Sequence, residues 1–390
     1  MKELMSDRVK SIEYSGLRKI MAIAKEVKEP LIDFSIGDVT FNTSMNICEA
    51  CWKALREGNT HYTPVLGLRE LREAIAEKMV RENNIEADPE SEILISAGGS
   101  EGLMISFLAS LNPGDEVLIG DPYYALFVPM VKISRGKVVS VPLNEENGFL
   151  LNPEFIKERI TPKTKMIILC TPHNPTGRVR SKEELEAVAD IAKDHNLLIL
   201  SDETYEKIIY DGHKHLSIAS LPGMKERTIT MTSLSKYYAV TGLRLAYVVA
   251  AKEIMNEIGK VHAYNVSAAQ TPGQYGALEA IRGPQHEAQK RVEEYKLRRD
   301  FMVKRLNEIE GMSCHTPMGT FYAFPNVSSY GKRSFEVAEH LLRKGKILTV
   351  HGSAYGQYGE GYVRLNFAYC KNMQEIEDGL NRMEEALKEL

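Results

Sequence analysis

An α/β fold built on a mostly parallel sheet is predicted by three features of the chain. From Ser91 onward, short apolar runs alternate with helix-like stretches, the rhythm from which parallel sheets are wound. The runs ILIS (Ile93–Ser96), EVLI (Glu116–Ile119) and KMIILC (Lys165–Cys170) are continuous and apolar, as buried strands are. Each gives way to small, polar or aromatic residues, and ligands of such sheets bind beyond the carboxyl ends of the strands. At 390 residues the chain accommodates two domains of ordinary size or one large one.

Each element has its own local reason. Ser11–Lys28 reads as an amphipathic helix with Ile20, Ile23, Ala24 and Val27 on one stripe. Leu31–Ile36 is a short strand ending at Gly37-Asp38, where glycine permits a tight turn or a close approach of backbone to ligand. Helices follow over Ile47–Glu57, stopped by Gly58, and over Leu68–Asn83, with Tyr62 in the loop between them. Ile93–Ser96 leads through the small-residue turn Ala97–Ser100 into a helix over Glu101–Leu111. Free N–H groups and the positive end of the helix dipole make such a turn a phosphate seat.

Glu116–Ile119 is a strand that delivers Tyr123 and Tyr124, and Lys137–Val141 is a further strand. Asn152 caps a helix to Arg159, with Pro153 at its first position. Lys165–Cys170 exits into TPHNPTG (Thr171–Gly177), whose two prolines and glycine hold Asn174 rigidly. Ser181 with Glu184 forms a capping-box pattern before Lys182–His195. Leu197–Leu200 then delivers Asp202 and Tyr205, Thr228–Thr232 delivers Ser233, Ser235 and Lys236, and Ala246–Ala250 is one more strand.

Composition narrows the function. A net charge of −4 with dispersed lysines and arginines leaves no electrostatic footprint for nucleic acid or anionic membrane, so a small-molecule substrate is expected. The amino terminus lacks an apolar signal region, and no apolar run approaches the roughly 18 residues of a membrane helix; a cytoplasmic enzyme is expected. Cys48 and Cys51 have C-x-x-C spacing without a second pair, and His213 and His215 read as a polar loop. Reduced thiols and no metal site are expected.

Lys236 is the candidate active amine. At a pKa of about 10.4 a lysine is protonated at neutral pH, and it becomes a nucleophile when desolvation or nearby cations lower that value. Arg244 either supplies such a cation or pairs with a phosphate dianion beside the hydroxyls of Ser233 and Ser235. The strand ends together offer a phosphate seat, an amine, a buried carboxylate at Asp202 and aromatic platforms. A phosphorylated aromatic aldehyde answers all of these: the amine bonds the aldehyde, the carboxylate keeps a ring nitrogen protonated, and an aromatic stacks on the ring. Pyridoxal 5′-phosphate is such a molecule.

On these residues the chain resembles the fold-type I pyridoxal-phosphate enzymes of aminotransferase class I/II, the aspartate and aromatic aminotransferase kind, from SGLRKI to GYVRLNFA. The resemblance implies a large cofactor-binding domain over residues 46–280 and a smaller α/β domain formed by both termini, residues 1–45 and 281–390. It makes Lys236 the Schiff-base lysine and proton carrier, and Asp202 the partner of the pyridine nitrogen. Tyr205, from D-E-x-Y, and Asn174, from N-P-T-G, would bond the cofactor's phenolic oxygen, with Tyr124 stacked on the ring. Gly99, Ser100 and Glu101 would hold the phosphate with Ser233, Ser235 and Arg244. Tyr62 of the neighbouring subunit would complete that cup in a homodimer. Arg364 would take the substrate's α-carboxylate, with Gly37 and Asn174 beside it. Gly37-Asp38-Val39-Thr40-Phe41 stands where G-E-P-D-F is usual, and His351-Gly352-Ser353 where P-G-S is usual.

The implied activity is ping-pong transfer of an amino group from an L-amino acid to a 2-oxo acid such as 2-oxoglutarate. Aspartate or an aromatic or large apolar amino acid is the expected donor, and Tyr14, Phe41, Tyr123 and Tyr322 are candidates to meet an apolar side chain. β-Elimination or other chemistry at Cα or Cβ on the same fold is the alternative. A transcription regulator carrying such a domain would need a basic winged-helix segment, which the residues before Ser11 do not offer.

Overall fold

The computed structural model describes residues 4–12 and 16–390; Tyr14 lies outside them. The strands are β1 (Ile32–Asp33), β2 (Ile93–Ser96), β3 (Glu116–Asp121), β4 (Lys137–Pro142), β5 (Thr164–Cys170), β6 (Leu198–Asp202), β7 (Thr228–Ser233), β8 (Ala246–Val249), β9 (Tyr322–Ala323), β10 (Ile347–Leu348), β11 (Val350–His351) and β12 (Val363–Asn366).

Seven of them form the central sheet, in the order β2-β8-β7-β6-β5-β3-β4. The ladders β3/β4, β3/β5, β5/β6 and β6/β7 are parallel, whereas β8 runs antiparallel to both β7 and β2. Helices on both faces bury the sheet, and every residue of β2, β3, β7 and β8 is buried, which accounts for the apolar runs ILIS and VLI in β2 and β3. The capping box at Ser181 and Glu184 forms as its pattern requires.

A smaller unit draws on both ends of the chain. β1 pairs in parallel with β10, and β11, β12 and β9 form an antiparallel sheet. The helix His286–Glu308 buries Tyr295, Met302 and Leu306 in one core with Leu365 and Phe367 of this unit. The strand expected over Leu31–Ile36 pairs only at Ile32 and Asp33. Beyond them the Asp33 carboxylate accepts from the Ser35 N–H and hydroxyl, each at 2.7 Å, which turns the chain out of the ladder. The helix expected from Ser11 to Lys28 is described only over Gly16–Ala24.

Candidate functional site

The register of the central sheet assembles the site. Ser96 and Ser233 both pair with Ala246, so the ends of β2 and β7 meet the start of β8. The turn Gly98–Ser100, Lys236 and Arg244 are thereby brought to one place. Cys170 pairs with Asp202, and Asp202 with Met231, which carries Asp202 and the Asn174 loop to the same edge. The resulting cleft is lined by Gly99, Ser100, Tyr124 and Asn174 on one side. Asp202, Tyr205, Ser233, Ser235, Lys236 and Arg244 complete it.

At one end lies an anion seat. The helix Gly99–Ser110 leaves its first N–H groups without intrahelical partners. Gly98 holds φ at +84°, and a Cβ there would lie 2.6 Å from Nη2 of Arg244, so glycine lets the guanidinium lie against the turn. Arg244 Nη1 donates to the Thr241 carbonyl at 3.0 Å. The Ser235 hydroxyl is buried in the cleft without a protein partner. Glu101 differs from expectation. Its carboxylate is turned behind the seat, accepting from the Ala97 N–H at 3.1 Å and meeting His262 Nδ1 at 3.0 Å. An anion there braces the turn, whereas in the seat it would repel a phosphate.

Asp202 lies at the other end. Thr204 donates to its Oδ1 from the hydroxyl at 2.6 Å and from the backbone at 3.1 Å. Burial pushes the Asp202 carboxyl up to about 6, against the pull of the Thr204 bonds. Lys236, between the two ends, donates to the Gly37 carbonyl. Burial brings its amine down to about 8; the neighbouring Asp38 opposes that shift, and Arg244 and Arg364 add to it. The Tyr205 hydroxyl lies 3.0 Å from that of Tyr322, and burial drives it well above the ordinary phenol range.

Arg364, on β12, is buried, with Nη2 donating to the Ser35 carbonyl at 2.7 Å and Nη1 to Asn174 Oδ1 at 3.3 Å. Its guanidinium packs over the rings of Tyr322 and Tyr355 at 4.1 and 5.0 Å, and its buried Nε has no protein partner. Asn366, also on β12, donates to the carbonyls of Ile36 and Asp38, fixing the Gly37 backbone against this wall. A second chamber opens here, sharing Tyr124, Tyr205 and Lys236 with the cleft and bounded by Gly37, Tyr322, Tyr355 and Arg364.

Several expectations land elsewhere. Tyr62 is 87% exposed and lines neither space within its own chain. Phe41 packs edge-on against Tyr295, and the Tyr123 side chain borders a separate small cavity; only Tyr322 of the described aromatic candidates reaches the chamber. His215 is no loop solvent group: its Nε2 lies 2.8 Å from the Glu203 carboxylate, and both side chains are buried. Thr204, Asp38 and Tyr355 escaped sequence reasoning. Thr204 had one available signal, an hydroxyl two residues after the carboxylate, the spacing of a local side-chain turn.

The residues suit pyridoxal phosphate on their own chemistry. Asp202 is a buried carboxylate without a bonded cation, the partner a protonated ring nitrogen requires; the Ser235 hydroxyl and the helix N–H groups are unspent donors for a phosphate. The model for "Aminotransferase class I and II" matches residues 29–382. The chain is 44% identical to an aspartate aminotransferase of Pyrococcus abyssi, over 99% of this chain and 98% of that one. It is 41% identical to aromatic-amino-acid aminotransferase 2 of Thermococcus litoralis, over 99% and 98%. The crystal structure of an aromatic aminotransferase from Pyrococcus horikoshii superposes with a TM-score of 0.90 at 41% identity, covering 95% of this chain and 99% of that one.

Proposed function

We propose the roles of individual residues from one premise: the chain belongs to the class I and II aminotransferase family. It is a pyridoxal-phosphate-dependent enzyme that transfers an amino group from an amino acid to a 2-oxo acid. The cofactor, when bound, supplies an electron sink for the bonds at the substrate's Cα.

In our reading Gly99, Ser100, Ser233, Ser235 and Arg244 hold the phosphate, and Asp202 holds a proton at the ring nitrogen. Asn174 and Tyr205 donate to the phenolic oxygen, and Tyr124 covers the ring face. Lys236 would be the residue that holds the cofactor covalently, and its free amine would accept the proton from Cα as a general base. An amine that titrates near 8 has a substantial neutral fraction at physiological pH, as proton abstraction needs. Arg364 takes the α-carboxylate as a bidentate partner, and the Gly37 carbonyl orients the amine.

A homodimer is part of the same reading. Tyr62 is too exposed to serve its own cleft, and Met45, Trp52 and Leu55 present an apolar face on the helix Met45–Arg56, which suits burial against a second copy donating Tyr62. We place the arm and small domain at residues 1–45 and 281–390, and the enzyme in the cytoplasm. The observation that carries the reading is Lys236 set between Asp202 and Arg364. Single-turnover half-reactions test it: an L-amino acid should convert the bound cofactor to its amine form with release of the 2-oxo acid. Loss of ammonia without that conversion would favour elimination.

A further inference from the structure

The turn that carries Arg244 is held from outside, by the segment that follows β1. Two of its residues that are not glycine take left-handed backbone angles, Ala239 at φ +55° and Arg244 at φ +51°, a conformation that persists where neighbours enforce it. The Thr43 hydroxyl donates to the Ala239 carbonyl at 2.7 Å. The Thr241 hydroxyl donates to Asp38 Oδ2 at 3.2 Å, and the Thr241 carbonyl in turn holds Arg244 Nη1 at 3.0 Å. Asp38 is itself fixed: its Oδ1 accepts from the Val39 N–H at 2.8 Å, and its carbonyl accepts from Asn366 of β12 at 2.8 Å. A continuous path of bonds thus runs from β12, which carries Arg364, through Asp38 and Thr241 to Arg244.

Asp38 also acts on the amine that lies between the two arginines. Four charges face Lys236: Asp38 from this segment, Asp202 from the end of β6, Arg244 from the turn and Arg364 from β12. Burial pulls the amine's pKa down; among the charges Asp38 has the largest effect, and it pulls upward. Tyr124, Tyr205 and Tyr322 share the chamber with Lys236, and burial raises all three phenols, so they carry no charge at neutral pH. Tyr295 and Tyr369, whose phenols feel Asp38, are raised likewise. The amine donates to the carbonyl of Gly37, one residue from Asp38.

Granted the aminotransferase reading above, we propose that Asp38 is a positioning residue with two tasks: through Thr241 it holds Arg244 in the phosphate seat, and by its charge it keeps Lys236 on the Gly37 carbonyl until the cofactor arrives. The test uses the cofactor-free protein in two measurements. Free pyridoxal aldehyde, which lacks the phosphate, condenses with the Lys236 amine and releases water; absorbance follows the rate across pH, with Lys236→Ala as the blank. Asp38→Asn should speed this roughly three- to tenfold at about pH 6 and move the acid limb of the profile to lower pH, because an amine relieved of a neighbouring anion gives up its proton more readily. Binding of inorganic phosphate, by isothermal titration, reads the brace. Asparagine keeps an acceptor for the Thr241 hydroxyl and alanine does not, so Asp38→Ala should bind phosphate about fivefold more weakly than Asp38→Asn, the worth of one hydrogen bond. In a Thr241→Val background the two should bind alike. If the pH profiles of wild type and Asp38→Asn coincide, or if alanine and asparagine bind phosphate alike with Thr241 in place, the proposal is overturned while amino transfer stands. If Lys236→Ala takes up the cofactor covalently as the wild type does, the reading it rests on falls as well.

Discussion

Thr204 donates twice to a single oxygen of Asp202, from its hydroxyl at 2.6 Å and its N–H at 3.1 Å, so the other carboxylate oxygen is the one left for the cofactor ring. Both bonds hold the acid down against burial. Thr204→Val should raise the Asp202 pKa further and weaken cofactor binding roughly ten- to hundredfold, the range for a bond to a charged group. Cofactor titration by fluorescence checks this, and Thr204→Ser should restore binding. Unchanged affinity in the valine variant would refute the positioning role.

Lys236 carries a stability cost that its function explains. Its folded pKa, about 8, lies below its ordinary 10.5, so between those values the unfolded chain binds more protons and stability rises with pH. At pH 7 the full cost is present. Cofactor-free Lys236→Met should therefore unfold at a higher temperature than the wild-type apoprotein at pH 7, with the gap closing toward pH 10.5. Thermal melts at the two pH values decide it.

Asp121 ties the central sheet to the chamber. At the end of β3 its carboxylate accepts from the N–H groups of Gln357 and Tyr358 at 3.2 and 3.1 Å, and burial lifts it to about 6 from 3.8. Here the folded state binds more protons, so this group's stabilisation is complete below pH 3.8 and is lost as pH rises through 6. Asp121→Asn should flatten the stability profile across that window. It should also speed hydrogen exchange at one of the Gln357 and Tyr358 amides, because each bonds its own carboxylate oxygen and asparagine keeps only one acceptor.

Gly98→Ala tests the anion seat directly. A Cβ at φ +84° is strained and collides with Arg244. Inorganic phosphate and the cofactor should both bind at least tenfold more weakly, as isothermal titration would report, whereas the free pyridoxal aldehyde without its phosphate should be affected far less.

The large sheet was legible because its strands are short, buried on both faces and closed by turn residues, so local composition and final environment agree. β2 was read to the residue, and Asn174, Asp202, Ser233 and Lys236, which line the cleft, were read from the ends of such strands. The small unit was not legible: β9 to β12 have two to four residues each, too few for periodicity to register. Tyr355 and Leu17 belong to the chamber only through tertiary placement. Glu101 was misjudged because its position in the turn is visible in sequence while its side-chain direction, set by His262 from a distant helix, is not.

The parallel pairing of Ile32 with Ile347 has a consequence for how the protein is made. All seven strands of the central sheet are synthesised by residue 249, whereas Phe34, next to β1, finds its cover in the helix Met373–Leu387, where a Cβ on Gly379 would already touch its ring. A growing chain must therefore keep its early apolar segment uncommitted until the helix Met373–Leu387 has been made, a long loop closure that slows completion. During that interval a finished cofactor platform coexists with an unfinished substrate wall, and the unpaired β1 segment is the part a chaperone would be expected to shield.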